Sequence, residues 1–428
     1  MYQYQDYLEA YGRIMQFNKN KSEPFHRWYP FVEGYSKEFI QSIIEELDEK
    51  PQVCLEPFSG SGTTALELQT MGIKCFSFEV NPLMYLIAKV KLENDYAIDK
   101  IQHYFEFIKQ ERTNSNIAEV KTTFKTLYQK EGLKKWNYNA SVAIAIEKIH
   151  LAIKLIDDDK YMELFTVALA AILLDVSNLY RNGKCLSYKK NWKDRNITEA
   201  EVFDKFDKKV NEELLVDIRN NKIMALVHNK KYLYHEDSRV GIQKTVTDNS
   251  IDLVITSPPY LNSRDYTDTY MLELKTLELT HTNEEVRKLR EKTLRSHVQI
   301  KWKDTASIDN QLLHETLREL ERATREQTMW NDSIIDMVRL YFVDMKSIFS
   351  VLYKKIRTGG KIYFNVSNSA YYGVMINTLE ICASIAENEG FKVIEIRKAR
   401  YLKTSPQQKN EVDKLLEGVI VIEKGIDQ

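Results

Sequence analysis

Cysteine is scarce in this chain: Cys54, Cys75, Cys185 and Cys382 are four among 428 residues, and none stands in C-x-x-C spacing. A disulfide framework and a thiolate metal site are therefore not expected, and neither is a metal-ligand cluster among the eight histidines. Charge of one sign is lacking as well, since 61 Lys+Arg face 62 Asp+Glu for a net charge of −1. Such a balance does not suit a protein that coats nucleic acid in bulk, so any nucleic-acid contact has to be regional. There is no long hydrophobic run. The most apolar stretch, 164–176, is too short to span a bilayer and contains Asp175, so it reads as a buried helix and no membrane role is expected. Residues 1–13 are polar and aromatic rather than charged and then apolar, unlike a secretory signal, and a reducing cytoplasmic setting follows. With 43% hydrophobic and 29% charged residues, the chain is a globular protein of one large domain with insertions, or of two to three domains.

Two of the eight prolines are adjacent, and they follow the most strand-like run in the chain. Ile251, Leu253, Val254 and Ile255 read as a buried strand that Pro258 and Pro259 forbid from continuing. In Thr256-Ser257-Pro258-Pro259-Tyr260 neither proline carries an N–H, and the residue before each is held extended. The carbonyls of Ser257 and Pro258 are thus free to accept from something outside their own chain. With the Ser257 hydroxyl and the flat face of Tyr260, this loop can hold a planar group that bears an amino nitrogen. On its own the motif is also an ordinary stiff turn.

A second stretch decides between those readings. Val53-Cys54-Leu55-Glu56 reads as a short strand running through Pro57-Phe58-Ser59-Gly60-Ser61-Gly62 into a helix that opens at Thr63 and Thr64. A strand, a G-x-G turn and a helix start bring backbone close to a ligand beside the positive end of a helix. About 20 residues on, a second strand (74–79) ends at Glu79, where an acid grips ribose hydroxyls. Position 65 is Ala where a dinucleotide turn has its third glycine, a pattern compatible with an adenosine-type cofactor lacking a pyrophosphate.

Together, E-P-F-S-G-S-G-T-T (56–64), F-E-V-N-P (78–82) and T-S-P-P-Y (256–260) resemble the amino-group DNA methyltransferases, which depend on S-adenosylmethionine and methylate the exocyclic nitrogen of cytosine or adenine. The resemblance covers about half the chain. It implies a doubly wound, Rossmann-like α/β methyltransferase sheet, with S-adenosyl-L-methionine as cofactor and double-stranded DNA as partner. Phe58, Gly60 and Gly62 match the turn that binds the methionine end, and Glu79 matches the acid on the ribose. Glu56, Thr63 and Asn81 stand within the same motifs. Phe31, in the aromatic segment 26–36 ahead of a helix capped by Ser36, resembles the element that closes over the methionine. Asp237 resembles the acid that meets the adenine amino group. Ser257, Pro258, Pro259 and Tyr260 correspond to the catalytic loop. The class also includes enzymes with a cognate restriction endonuclease; neither that partner nor an oligomeric state can be read from this sequence.

The rest of the chain divides around these motifs. Residues 1–93 form an N-terminal segment and the cofactor half, the former read as a short helix and polar linker. Residues 94–230 carry helix-like apolar stretches and read as a helical insertion, whose basic, aromatic part includes Arg181, Lys189 and Lys190. It is either a solvated loop or a DNA contact. Residues 231–261 and 331–428 supply the catalytic half. They end in a helix 330–356 stopped by Gly359-Gly360, a strand 361–366, a helix 372–389 and two strands, 392–396 and 418–423, expected to run antiparallel. Between them, 262–330 holds Arg264 and the basic run 287–303 with Arg287, Arg290, Arg295 and Lys301, a candidate target-recognition region or a solvated helix face.

The chemistry expected is direct transfer from nitrogen. Acceptors at Ser257 and Pro258 localise the lone pair of a flipped-out base, Tyr260 offers it a stacking face, and no covalent cysteine is needed. Within the resemblance, Ser at the head of P-P-Y is typical of cytosine-N4 enzymes, and adenine-N6 is the alternative. An RNA or protein-amide methyltransferase and a non-catalytic DNA-binding subunit are the further rivals.

Overall fold

A computed structural model describes residues 2–183, 185–221, 227–262, 265–326, 331–404 and 412–425. Arg264, one of the predicted DNA contacts, and Trp330, the predicted start of a helix, lie outside the described residues.

Twelve strands are described. In chain order they are β1 (Tyr4–Asp6), β2 (Val53–Glu56), β3 (Lys74–Phe78), β4 (Leu179–Asn182), β5 (Cys185–Tyr188) and β6 (Leu233–Tyr234). There follow β7 (Ile251–Thr256), β8 (Ile356–Ser367), β9 (Ser369–Tyr371), β10 (Val374–Ile376), β11 (Lys392–Lys403) and β12 (Lys414–Glu423). Eight of them build one sheet in the order β1-β11-β12-β8-β7-β2-β3-β6, and β4-β5 and β9-β10 are separate hairpins. The five strands from β8 to β6 are parallel, while β12 runs antiparallel to both β8 and β11.

Both faces of this sheet are buried, and the strand sequences show why. Neighbouring residues point to opposite faces. Cys54, Leu253, Ile255, Tyr363, Val419 and Val421 therefore join one hydrophobic cluster with the helices Lys37–Glu46 and Thr63–Thr70. Leu55, Val254, Ile362, Phe364, Ile420 and Ile422 join another with the helices Ile334–Lys355 and Thr378–Asn388. Apolar residues at consecutive positions mark strands covered on both sides. The result is a doubly wound, Rossmann-like sheet, as the resemblance implies.

Between β3 and β6 the chain makes long helices, Ile98–Asn114, Ala140–Lys154 and Asp159–Val176, and the β4-β5 hairpin. They share a third cluster with Trp28, Tyr29 and Phe31 and with the helix Pro82–Leu92. The apolar stretch 164–176 lies in the last of those three helices, and no helix among the described residues is long and apolar enough to cross a membrane.

Several boundaries differ from the sequence reading. The N-terminal polar segment is not only a helix and linker: Tyr4–Asp6 pairs parallel with β11 and forms the edge of the sheet, and Phe17–Ser22 is a 3-10 turn. Ser36 precedes its helix, yet its side chain makes no capping hydrogen bond. Gly359 and Gly360 lie inside β8, because the preceding helix already ends at Lys355. The helix expected over 372–389 begins only at Thr378, after the β10 strand. Strands β11 and β12 extend well beyond their apolar cores, since the ladder pairs Lys403 with Lys414 as firmly as Ile396 with Ile420.

Candidate active site

At the ends of β2 and β7 the chain does two different things. After β2, Gly60 at φ +51° and Gly62 at φ +82° turn it sharply into the helix Thr63–Thr70. Gly62 is there for close packing, since a Cβ would lie 2.9 Å from the Cβ of Ala88 in the helix Pro82–Leu92. The turn is fixed to β3: the Ser59 amide donates to the Phe78 carbonyl at 2.9 Å, and the Gly60 amide donates to Glu79 Oε2 at 2.8 Å. The other oxygen of Glu79 accepts from the Asn81 amide at 2.7 Å. Asn81 in turn caps its helix, accepting from Leu83 and Met84, with Pro82 at the first helical position. Burial pushes the Glu79 carboxyl up to about 7.

After β7 the chain cannot extend the sheet through two prolines, and the loop is held by side chains instead. The Tyr260 amide donates to the Tyr266 hydroxyl at 3.0 Å. The Tyr260 hydroxyl donates to Glu417 Oε1 at 2.6 Å and accepts from Asn365 Nδ2 at 2.8 Å. Asn365 Nδ2 also lies 3.4 Å from Ser257 Oγ. Glu417 is buried, and its second oxygen is paired with Arg400. Burial beside the Glu417 carboxylate raises the Tyr260 phenol well above its ordinary value, so it stays protonated. Asn365, on β8, has its Oδ1 buried with no hydrogen-bond partner. The amide cannot turn over without setting that oxygen against Glu417.

Both turns open on one cavity of about 420 Å3, within the range of roughly 300–1,000 Å3 usual for small-molecule sites. Phe31, Phe58, Gly60, Glu79, Asn81 and Asp237 border it on one side, and Ser257, Pro258, Pro259 and Tyr260 on the other. Phe31 packs edge-on against Phe17 at 5.4 Å and stacks on Tyr270 at 6.0 Å, which makes an aromatic wall from three separate segments. Asp237 caps the helix Ser238–Thr245 and is ion-paired with Arg239 at 2.6 Å.

Three residues expected at the cofactor face elsewhere. Glu56 is buried and accepts from Thr256 Oγ1 at 2.5 Å, Tyr35 at 2.7 Å, Thr64 at 2.9 Å and the Phe58 amide at 3.1 Å. It binds β2 to β7 and to the helix behind them, and burial pushes it up to about 7. Thr63 is buried at the helix start and, like Gly62, does not border the cavity.

The predicted DNA contacts also divide. Arg181 is 8% exposed and reaches the buried Glu273 at 2.6 Å, which corrects the expectation of a free basic side chain there. Lys189 is likewise turned inward: its ammonium donates to the carbonyls of Leu174, Asp175 and Ser177 at a helix end. Arg290 is paired with Asp265 and Asp268, and Arg295 with Asp344 and Asp304. Arg287 pairs with Glu284 and Glu291, and Lys301 with Asp332, both at the surface. Lys190 is exposed. The sequence reading missed Asn365, Arg400 and Glu417 at the cavity; an acid and an amide inside otherwise apolar strands were the available signal.

A doubly wound sheet with a glycine-rich turn and a proline-stiffened loop on one cavity is the arrangement that the resemblance to methyltransferases implies. Comparison with known proteins agrees. No family model matches the chain. It is 25% identical to the type II methyltransferase M.BsoBI of Geobacillus stearothermophilus, over 94% of this chain and 85% of that protein. It is 26% identical to the type II methyltransferase M.AvaI of Nostoc sp., over 90% of this chain and 82% of the relative. A shorter match, 24% identical over 58% of this chain and 55% of the relative, is to the type II methyltransferase M.MvaI of Kocuria varians. Over most of its length the chain is thus similar to proteins named type II methyltransferases, in line with its resemblance to the amino-group DNA methyltransferases.

Proposed function

We propose that the protein is a site-specific DNA methyltransferase that transfers a methyl group from S-adenosyl-L-methionine to N4 of a flipped-out cytosine. The observation that carries this reading is the convergence of two loops from adjacent parallel strands on one cavity, one built to hold an adenosine-type cofactor and the other an amino group.

The residues present fit both ligands. Each Glu79 oxygen already accepts one backbone N–H and keeps room for a further donor, as gripping a ribose diol requires. Phe31 and Phe58 supply apolar wall, and Asn81 borders the same side. On the other side, Asn365 Oδ1 is a buried acceptor in need of a donor, and an exocyclic amino group is such a donor. S-adenosylmethionine, when bound, supplies an electrophilic methyl on a sulfonium. The chain's own part is positional: Ser257 and the Pro258 carbonyl accept from the amino N–H groups and localise the nitrogen lone pair, while Tyr260 offers its ring to the extrahelical base. Within the resemblance, Ser257 at the head of the loop favours cytosine, with adenine-N6 as the alternative.

The test is transfer of radiolabelled methyl to unmethylated genomic DNA, followed by nucleoside chromatography, with Ser257→Ala and Tyr260→Ala in parallel. Label in N4-methylcytosine, lost in both variants, is expected. Label in N6-methyladenine overturns the base assignment, and unlabelled DNA overturns the DNA reading.

A further inference from the structure

Two groups of cations flank the cavity in sequence, and the structure pairs them to different extents. In the downstream run Arg287, Arg290, Arg295 and Lys301 each have an ion-pair partner, while Lys288, Lys292 and Lys303 are exposed with no ion pair among the described residues. In the insertion, Lys130, Lys134, Lys135, Lys190 and Lys193 are exposed, and none has an acidic partner among the described residues.

These lysines come from two segments that aromatic contacts join into one patch. The Trp136 ring stands 4.8 Å from Trp192, and Trp192 stands 4.7 Å from Tyr188 on β5. Lys135 lies 5.6 Å above the Tyr188 ring, and Lys193 lies 5.7 Å above Trp192. Behind the rings, Asn178 fixes both segments, donating from its amide to the Asn137 carbonyl at 2.8 Å and accepting from the Lys189 amide at 2.8 Å.

The patch is also tied to the catalytic loop. From β4, Arg181 donates to the Thr269 carbonyl at 3.3 Å and to Glu273 at 2.6 Å. Thr269 ends the short helix Tyr266–Thr269, whose first residue receives the Tyr260 amide at 3.0 Å. The Arg181 ion pair thereby holds the hairpin against the segment that follows the loop. Of the insertion residues that looked like DNA contacts in sequence, Arg181 and Lys189 are struts of the surface, and Lys190 belongs to the surface itself.

We infer that this lysine and aromatic patch of the insertion is the surface that grips the duplex backbone while a base occupies the cavity. The inference rests on the proposed action on DNA. Unpaired ammonium groups beside flat rings suit phosphate and sugar, and such contacts bind without regard to sequence. Duplex binding then releases counterions, and each phosphate contact contributes about 0.9 to the slope of log K against log salt.

The experiment measures binding of a fluorescein-labelled mixed-sequence duplex by anisotropy across a salt series. The variants are the triple Lys134→Ala/Lys190→Ala/Lys193→Ala, and Lys346→Ala as a control that breaks an existing pair with Glu389. The triple variant is expected to lower the salt slope by about 2–3, and the control to leave it unchanged. Duplex binding by the unaltered protein with the same slope in the triple variant overturns this surface and leaves the enzymatic reading intact. Absence of duplex binding by the unaltered protein overturns the DNA reading and the surface with it.

Discussion

Replacing Glu417 tests how the loop after β7, proposed to hold the target base, is fixed. Its carboxylate accepts from the Tyr260 hydroxyl at 2.6 Å on one oxygen and pairs with Arg400 on the other, at 1% exposure. In Glu417→Ala the Tyr260 hydroxyl loses this acceptor, while the Asn365 amide at 2.8 Å and the Ser257 hydroxyl at 3.3 Å still donate to that oxygen. A hydrogen bond to a charged group contributes about 1.5–3 kcal/mol. If the bond serves to place the Tyr260 ring, its loss falls on the transfer step, and about 1.4 kcal/mol per tenfold gives a fall of roughly tenfold to 150-fold. Arg400 is 25% exposed, so water takes over its charge and the fold is less affected than the rate. Tyr260→Phe keeps the ring and loses the bond, with a milder fall of roughly two- to tenfold. The double variant decides: if the two groups act through one bond, adding Glu417→Ala to Tyr260→Phe costs less than adding it to the unaltered protein, with a coupling of about 1 kcal/mol. The assay is single-turnover methyl transfer at matched folded fraction, with Glu417→Gln as the shape-conserving reference. A Glu417→Ala rate within about twofold of the unaltered protein, or losses that simply multiply, refutes the anchoring argument.

Three further outcomes follow from geometry. Gly62→Ala forces a side chain onto a left-handed backbone and into Ala88, and should destabilise the fold by about 2–4 kcal/mol in urea melts, whereas an unchanged midpoint would mean that the helices can part. Arg181→Ala leaves Glu273 buried and uncompensated, at a cost of about 3–5 kcal/mol, most of which the double variant Arg181→Met/Glu273→Leu should recover. An acid with a folded pKa above its unfolded value binds more protons in the folded state, so its contribution to stability falls as pH rises between the two values. For Glu56 that window runs from 4.5 to about 7 and is worth roughly 3 kcal/mol. Glu56→Gln should show a shallower loss of thermal stability across it, and an identical pH slope in the two proteins would contradict the assignment.

The parallel half of the fold was legible because its signals are local. The buried strands β2, β3 and β7 announce themselves as apolar runs, and the glycines and prolines that end them can do little else. The antiparallel extension was legible only in part. Strand β11 carries Arg400 beyond its apolar segment, where hydrogen bonding to a neighbour sustains a strand that hydrophobicity does not mark, and its partner Glu417 interrupts the apolar run of β12. The two residues that steady Tyr260 were therefore invisible as a pair. The basic residues show the converse: Arg181 and Arg290 look like solvent-facing charge in sequence, and only the fold brings Glu273 and Asp265 to them. Ion pairing over long separations leaves no periodic trace.

Strand β1 lies at one edge of the sheet, hydrogen-bonded to β11 across nearly the whole length of the chain. On the ribosome, β1 must wait for β11 to emerge before that edge can form. Strands β11 and β12 also supply Arg400, Leu402 and Glu417 to the cavity, so its wall is completed late in synthesis. Contacts of such high separation slow folding. A nascent chain halted before β11 would carry the turns after β2 and β7 without the cavity wall that β11 and β12 supply.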